Sequence, residues 1–153
     1  MPANYDYKRL IGWFKRVSAA IVAFKTWQTA GGGLAFRWST VTLDVNQANQ
    51  PTITERLDAV KVPLNFETDA LVRVSMVDSA STFLAAVYSP DENISAMSTT
   101  AAPLVNILRD SGGTTAVAEL VVRTDSNGQI AAQANSTLDN YYVVTIGFDW
   151  ERR

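Results

Sequence analysis

Apolar and polar residues alternate with a period of two in several stretches of this chain. The alternation is most regular over 141–150 (YYVVTIGFDW), with Tyr142, Val144, Ile146, Phe148 and Trp150 in one row and Tyr141, Val143, Thr145, Gly147 and Asp149 in the other. Successive side chains of a strand leave the backbone on opposite sides, so the pattern predicts a strand about 33 Å long with its aromatic row against a second sheet. The stretch 71–77 alternates in the same way, strands are also predicted at 82–88, 114–124 and 129–134, and Asn127-Gly128 between the last two predicts a hairpin. Ser89-Pro90-Asp91-Glu92-Asn93 reads as a turn and 46–51 (NQANQP) as a polar loop. An irregular strand over 52–62 is stopped by Pro63, and 94–110 reads as a long loop with a short strand at 104–108. Leu34, Phe36 and Trp38 share one face. After a phase shift near Ser39 so do Val41, Leu43 and Val45, as at a bulge or where a strand changes sheets.

Residues 10–27 admit two readings. Leu10, Trp13, Phe14, Val17, Ile21, Phe24 and Trp27 fall at helical spacings, with basic residues mostly elsewhere, as on an amphipathic helix. Gly12, the crowding of β-branched and aromatic residues and the missing capping box stand against a helix, and two strands, 10–16 and 21–27, joined through 17–20, are the equal alternative. Eight to ten short strands at nearly regular spacing then indicate an all-β, antiparallel sandwich or jelly roll, one domain over 1–153. Residues 1–30 supply its first strands or an arm that packs on neighbours.

Composition narrows the chemistry. The 153 residues include no Cys and no His, so disulfides, thiolate metal sites and imidazole acid-base catalysis are excluded. Only 18% are charged while 47% are hydrophobic, which suggests apolar surface covered by a copy of the same chain. Residues 1–38 carry six cations against Asp6, net +5, and the remainder seven cations against fourteen acids, net −7. A basic end on an acidic body suits head-to-body docking, or an edge protected by Lys and Arg. The opening MPANYDYKRL lacks the order of a signal peptide, and no run of 18 apolar residues occurs. Synthesis in a cytoplasm without membrane insertion is the expectation, and a chain without a basic recognition motif is not expected to bind nucleic acid.

Few constellations suggest a reaction. Gly31-Gly32-Gly33 is followed by neither Lys-Ser/Thr nor a helical pattern, so it is no phosphate loop. Asp125-x-Asn127-Gly128 resembles part of a calcium loop without its later ligands, and a turn is the better reading. Asp91-Glu92 is a conceivable glycosidase pair, but adjacent carboxylates at a turn ordinarily face solvent. The expectation is therefore no enzyme, cofactor or metal. Aromatic residues remain, for the core, for stacking on sugars or for an oligomer interface. The candidates for oligomer contact or partner docking are Arg9, Trp13, Phe14, Trp27, Tyr142, Phe148 and Trp150.

Short motifs spread over nearly the whole chain carry a likeness. They are Arg9-Leu10-Ile11-Gly12 with Lys15, Phe36-Arg37-Trp38 leading into Leu43-Asp44-Val45, Val62-Pro63, Val87-Tyr88-Ser89-Pro90-Asp91, Arg123-Thr124-Asp125 with Gly128-Gln129-Ile130, and Ile146-Gly147-Phe148-Asp149. Together they resemble small virion proteins of tailed bacteriophages and prophages. The resemblance implies a jelly roll of the tumour-necrosis-factor or C1q shape, commonly trimeric, serving as a tail-fibre tip, needle knob or head decoration. It implies self-association and contact with other virion proteins, and location in the virion. It also favours strands over a helix at 10–27. The 17–20 connection lacks the Gly expected there, and the chain ends on Phe148 to Arg153 where Trp in place of Phe148 and a final Arg-Gly are expected. A carbohydrate-binding module for host surface polysaccharide is the alternative from a different class.

Overall fold

The computed structural model describes residues 15–17, 20–29, 32–79, 82–92, 94, 97, 107–110 and 115–150, with the backbone alone at 15–17, 20–22 and 107–110. Twelve strands and no helix occur among them, where eight to ten strands were expected. They are β1 (Lys15–Val17), β2 (Ala20–Val22), β3 (Phe24–Gln28), β4 (Leu34–Trp38), β5 (Leu43–Ala48), β6 (Arg56–Ala59), β7 (Asp69–Val77), β8 (Phe83–Tyr88), β9 (Ile107–Asp110), β10 (Thr115–Arg123), β11 (Gln129–Ala134) and β12 (Asn140–Trp150). The described part of 10–27 is thus strand, split at Ala23.

All pairings are antiparallel. β1 and β2 form a separate two-stranded ribbon. A six-stranded sheet runs β10-β7-β12-β4-β3, with β5 also on β12, and a four-stranded sheet runs β6-β11-β8-β9. One cluster of buried side chains joins the two: Val72, Val74, Met76 and Val143 from the first meet Phe83, Ala85, Val87, Ile130 and Ala132 from the second. β8 and β11 are buried at nearly every position, because their other face is also covered, by Met97 and Ile94. A strand buried on both sides shows no alternation, which is why 82–88 reads as a plain apolar run.

The organising strand is β12, paired with β7 along 140–149 on one side and with β5 and then β4 on the other. Its buried row differs from the expected one. Tyr141, Val143 and Thr145 face the core, while Tyr142, Val144 and Ile146 face outward. At Ile146 the register against β7 slips by one residue, after which Phe148 points inward and stacks on Phe36 with ring centroids 4.7 Å apart. A bulge exchanges the faces of everything beyond it, so no single row of this strand is buried throughout.

Other expectations are met only in part. The phase shift near Ser39 is a break between β4 and β5, which stay in the same sheet and follow one another along β12. Asp44 is the extra residue there, with Val45 opposite Val143 and Leu43 opposite Val144, so Val45 is buried while Leu43 and Val41 are exposed. The predicted loop at 46–51 begins as strand, the predicted strand at 52–62 is found at 56–59, and of the predicted strand at 104–108 the described residues 107 and 108 lie in β9, which runs to 110. Asn127-Gly128 does make a tight turn, with Gly128 at φ 70° and its N–H on Asp125 O at 3.1 Å. The flanking strands are no hairpin, however, since β10 pairs with β7 and β11 with β6 and β8.

Candidate interaction surface

The inner face of the six-stranded sheet is committed to the core, so any surface it offers to a partner is the outer one. Cross-strand pairing places four rows there, because directly opposed residues share a face. The rows are Val117-Ser75-Tyr142-Asn46, then Glu119-Arg73-Val144-Leu43, then Val121-Leu71-Gly147-Arg37-Lys25, and last Arg123-Asp69-Asp149-Ala35-Trp27. Apolar side chains are exposed across it, with Val117 at 62%, Val121 at 55%, Trp27 at 49% and Leu43 at 48% of full accessibility.

The arginines of these rows lie beside carboxylates of the same chain. Arg73 reaches Glu119 at 3.0 Å, and Arg123 reaches Glu67 at 2.8 Å and Asp69 at 3.5 Å. Arg37 donates to Asp149 Oδ1 at 2.6 Å and to the carbonyls of Phe36 and Phe148 at 2.9 and 3.3 Å, and its guanidinium lies 5.2 Å from the centre of the Trp27 ring. It occupies this place because residue 147 is Gly. A Cβ there would stand 2.0 Å from Phe36 O and 2.7 Å from Arg37 Cδ.

Beneath the face, Asp44 locks the β5 bulge. Its side chain, 3% exposed, accepts from the Thr145 N–H at 2.8 Å and from the Thr145 hydroxyl, and its other oxygen meets Lys61 Nζ at 2.6 Å. The same hydroxyl accepts the Lys61 N–H at 3.1 Å. Displaced pKa values lie elsewhere. Burial pushes the Tyr141 phenol far up, with Asp58 adding to it, and its hydroxyl has no hydrogen-bond partner among the described residues. Tyr88 is raised by burial and by its bond to Glu55 at 2.8 Å. The Asp139 carboxyl is held below its ordinary value by the Ser79 hydroxyl and N–H.

Of the seven residues singled out from sequence, Arg9, Trp13 and Phe14 lie outside the described residues. Trp27 and Tyr142 lie on the outer face. Phe148 is 1% exposed and packs between Phe36 and Trp38, so its ring belongs to the chain's own interior. Trp150 is half-buried, 6.0 Å from Phe66. Asp91 and Glu92 sit on an exposed turn, and Asp125 is used internally, accepting the N–H groups of Asn127 and Gln129 at 3.0 and 2.7 Å. Among the described residues no group of three His, Cys, Asp or Glu is placed to hold a metal ion. Val117 and Val121 were not singled out. Their alternation with Glu119 announces a strand but not which side of it faces outward.

The class these observations define is an all-β protein with a broad, partly apolar outer sheet face. No family model matches the chain, and no curated protein or solved structure matches it significantly.

Proposed function

We propose that this chain is a non-enzymatic structural part of a bacteriophage virion, a trimeric jelly-roll sandwich of the tumour-necrosis-factor or C1q shape. Its place is the tail or fibre apparatus or the capsid exterior, where it contributes to host attachment or stabilises the head as a decoration. The observation that carries the reading is the wiring of the sheets. From β5 to β8, and again from β10 to β12, successive strands alternate between the six-stranded and the four-stranded sheet, and the last strand returns to lie beside β4 and β5. That alternation is how a jelly roll is threaded, and the phage-like motifs of the sequence agree with it. Light scattering on the eluting protein at micromolar concentration is expected to give about three times 16.7 kDa. A single-copy mass overturns the trimer. Electron microscopy of the particle with labelled antibody then separates the locations, since decoration predicts many copies over the head and a fibre role predicts label at the tail.

A second reading, binding of a host surface glycan, is favoured by one feature. Trp27 is exposed on the edge strand β3 beside the Arg37 and Asp149 side chains, the combination of aromatic ring and polar groups on which sugars stack. Titrating Trp fluorescence with host lipopolysaccharide is expected to show a saturable change that Trp27→Ala removes; no change disposes of this reading.

A further inference from the structure

We infer that Trp27, Arg37 and Lys25 form a binding site for an acidic saccharide, with the sugar ring on the indole and its carboxylate or phosphate group held by the two cations. The inference rests on the glycan reading given above and names the class of sugar that the same site takes.

Register brings the three side chains together. Lys25 stands directly opposite Arg37 across the β3–β4 pair, and Trp27 follows on the same face of β3, one alternation further on. Directly opposed side chains have Cβ atoms about 5 Å apart, so one small anionic group can touch both cations. Trp27 is half exposed, and the Arg37 guanidinium lies over its ring at 5.2 Å from the centroid. A guanidinium stacked on one side of an indole leaves the other side for a sugar.

The hydrogen bonds of Arg37 set the charge of the ligand. All three come from one nitrogen, since Nη1 donates to the Phe36 and Phe148 carbonyls and to Asp149 Oδ1. These bonds fix the plane of the guanidinium. Its Nε and Nη2 donate to no acceptor among the described residues, although the side chain is only 21% exposed. Nε–H and Nη2–H run parallel in that plane and make the fork that matches two oxygens of a carboxylate or phosphate. Asp149 offsets one of the two cations, and the neighbouring Asp69 is answered by Arg123 at 3.5 Å. Lys25 is exposed and has no ion pair among the described residues, so the site stays positive on a chain of formal charge −2. A neutral sugar would use the ring and leave both the fork and Lys25 unanswered.

The test uses the full chain and an array of acidic and neutral bacterial polysaccharides. Acidic members are expected to respond. The strongest of them, titrated by Trp fluorescence, is expected to bind about tenfold more weakly once its carboxylates are reduced to alcohols or its phosphates are removed, and the treatment that acts identifies the anionic group. Arg37→Lys keeps the charge but loses the fork, and is expected to weaken the same ligand about tenfold. Lys25→Gln is expected to weaken it several-fold with the far-ultraviolet circular dichroism unchanged; this exposed position decides the matter if Arg37→Lys disturbs the fold. Response confined to neutral members, binding that survives both chemical treatments, or full affinity in Lys25→Gln overturns the acidic class and, where Trp27→Ala still abolishes binding, leaves the glycan reading standing. An array with no responder removes both.

Discussion

Gly147 and Tyr141 show how far single residues on β12 depart from their ordinary roles. At Gly147 the obstacle to any side chain is backbone, the Phe36 carbonyl, which cannot swing aside as a flexible side chain does. Gly147→Ala must part β12 from β4 and is expected to cost about 3 kcal/mol, read as a lower urea midpoint. Tyr141 is the opposite case. Its ring fills the core under the Arg56 guanidinium, 5.7 Å away, but its hydroxyl is buried without a partner among the described residues. Tyr141→Phe removes the unpaired group and keeps the packing, so it is expected to raise stability by about 1 kcal/mol in the same measurement.

At the scale of elements, the weak point of a broken strand is the break. β4 and β5 together do the work of one long strand beside β12, and the bulge between them is tied by Asp44, Thr145 and Lys61. Thr145→Val keeps the shape of the side chain but removes the hydroxyl, leaving both a carboxylate oxygen and the Lys61 N–H short of a partner. The expected loss is about 2 kcal/mol, seen as a lower melting temperature. Hydrogen exchange is expected to quicken at residues 43–45 more than in β7, which keeps its pairing with both β10 and β12.

For the molecule as a whole, the buried phenols set the response to alkali. Tyr88 and Tyr141 both have folded-state pKa values above the unfolded value of about 10, chiefly because burial disfavours the phenolate. Above that pH the folded chain holds more protons than the unfolded one, so stability is complete below pH about 10 and falls as pH rises beyond it. Melting temperature followed from pH 8 to 11 is expected to fall, and to fall less in a variant carrying both Tyr88→Phe and Tyr141→Phe. The opposite trend contradicts the burial of these rings.

Local sequence was enough for what depends on neighbours along the chain. The period of two identified the strands at 71–77 and 141–150 almost to the residue, apolar runs bounded by turn residues did the same for 114–124 and 129–134, Asn127-Gly128 marked a real turn, and the missing Cys and His removed whole classes of chemistry. Periodicity says that a strand has two faces without saying which is inside, and a turn bends the chain without choosing the partner of the strand that follows. Those choices belong to the tertiary structure. The bulge at Ile146 reversed the faces beyond it and sent Phe148 inward, the bulge at Asp44 separated buried Val45 from exposed Leu43, packing of the inner row on the second sheet left Val117, Val121 and Tyr142 outside, and the strands flanking Asn127-Gly128 went to different sheets. The physical reason is that each such choice is made against a distant strand, and its free energy comes from contacts between residues far apart in sequence.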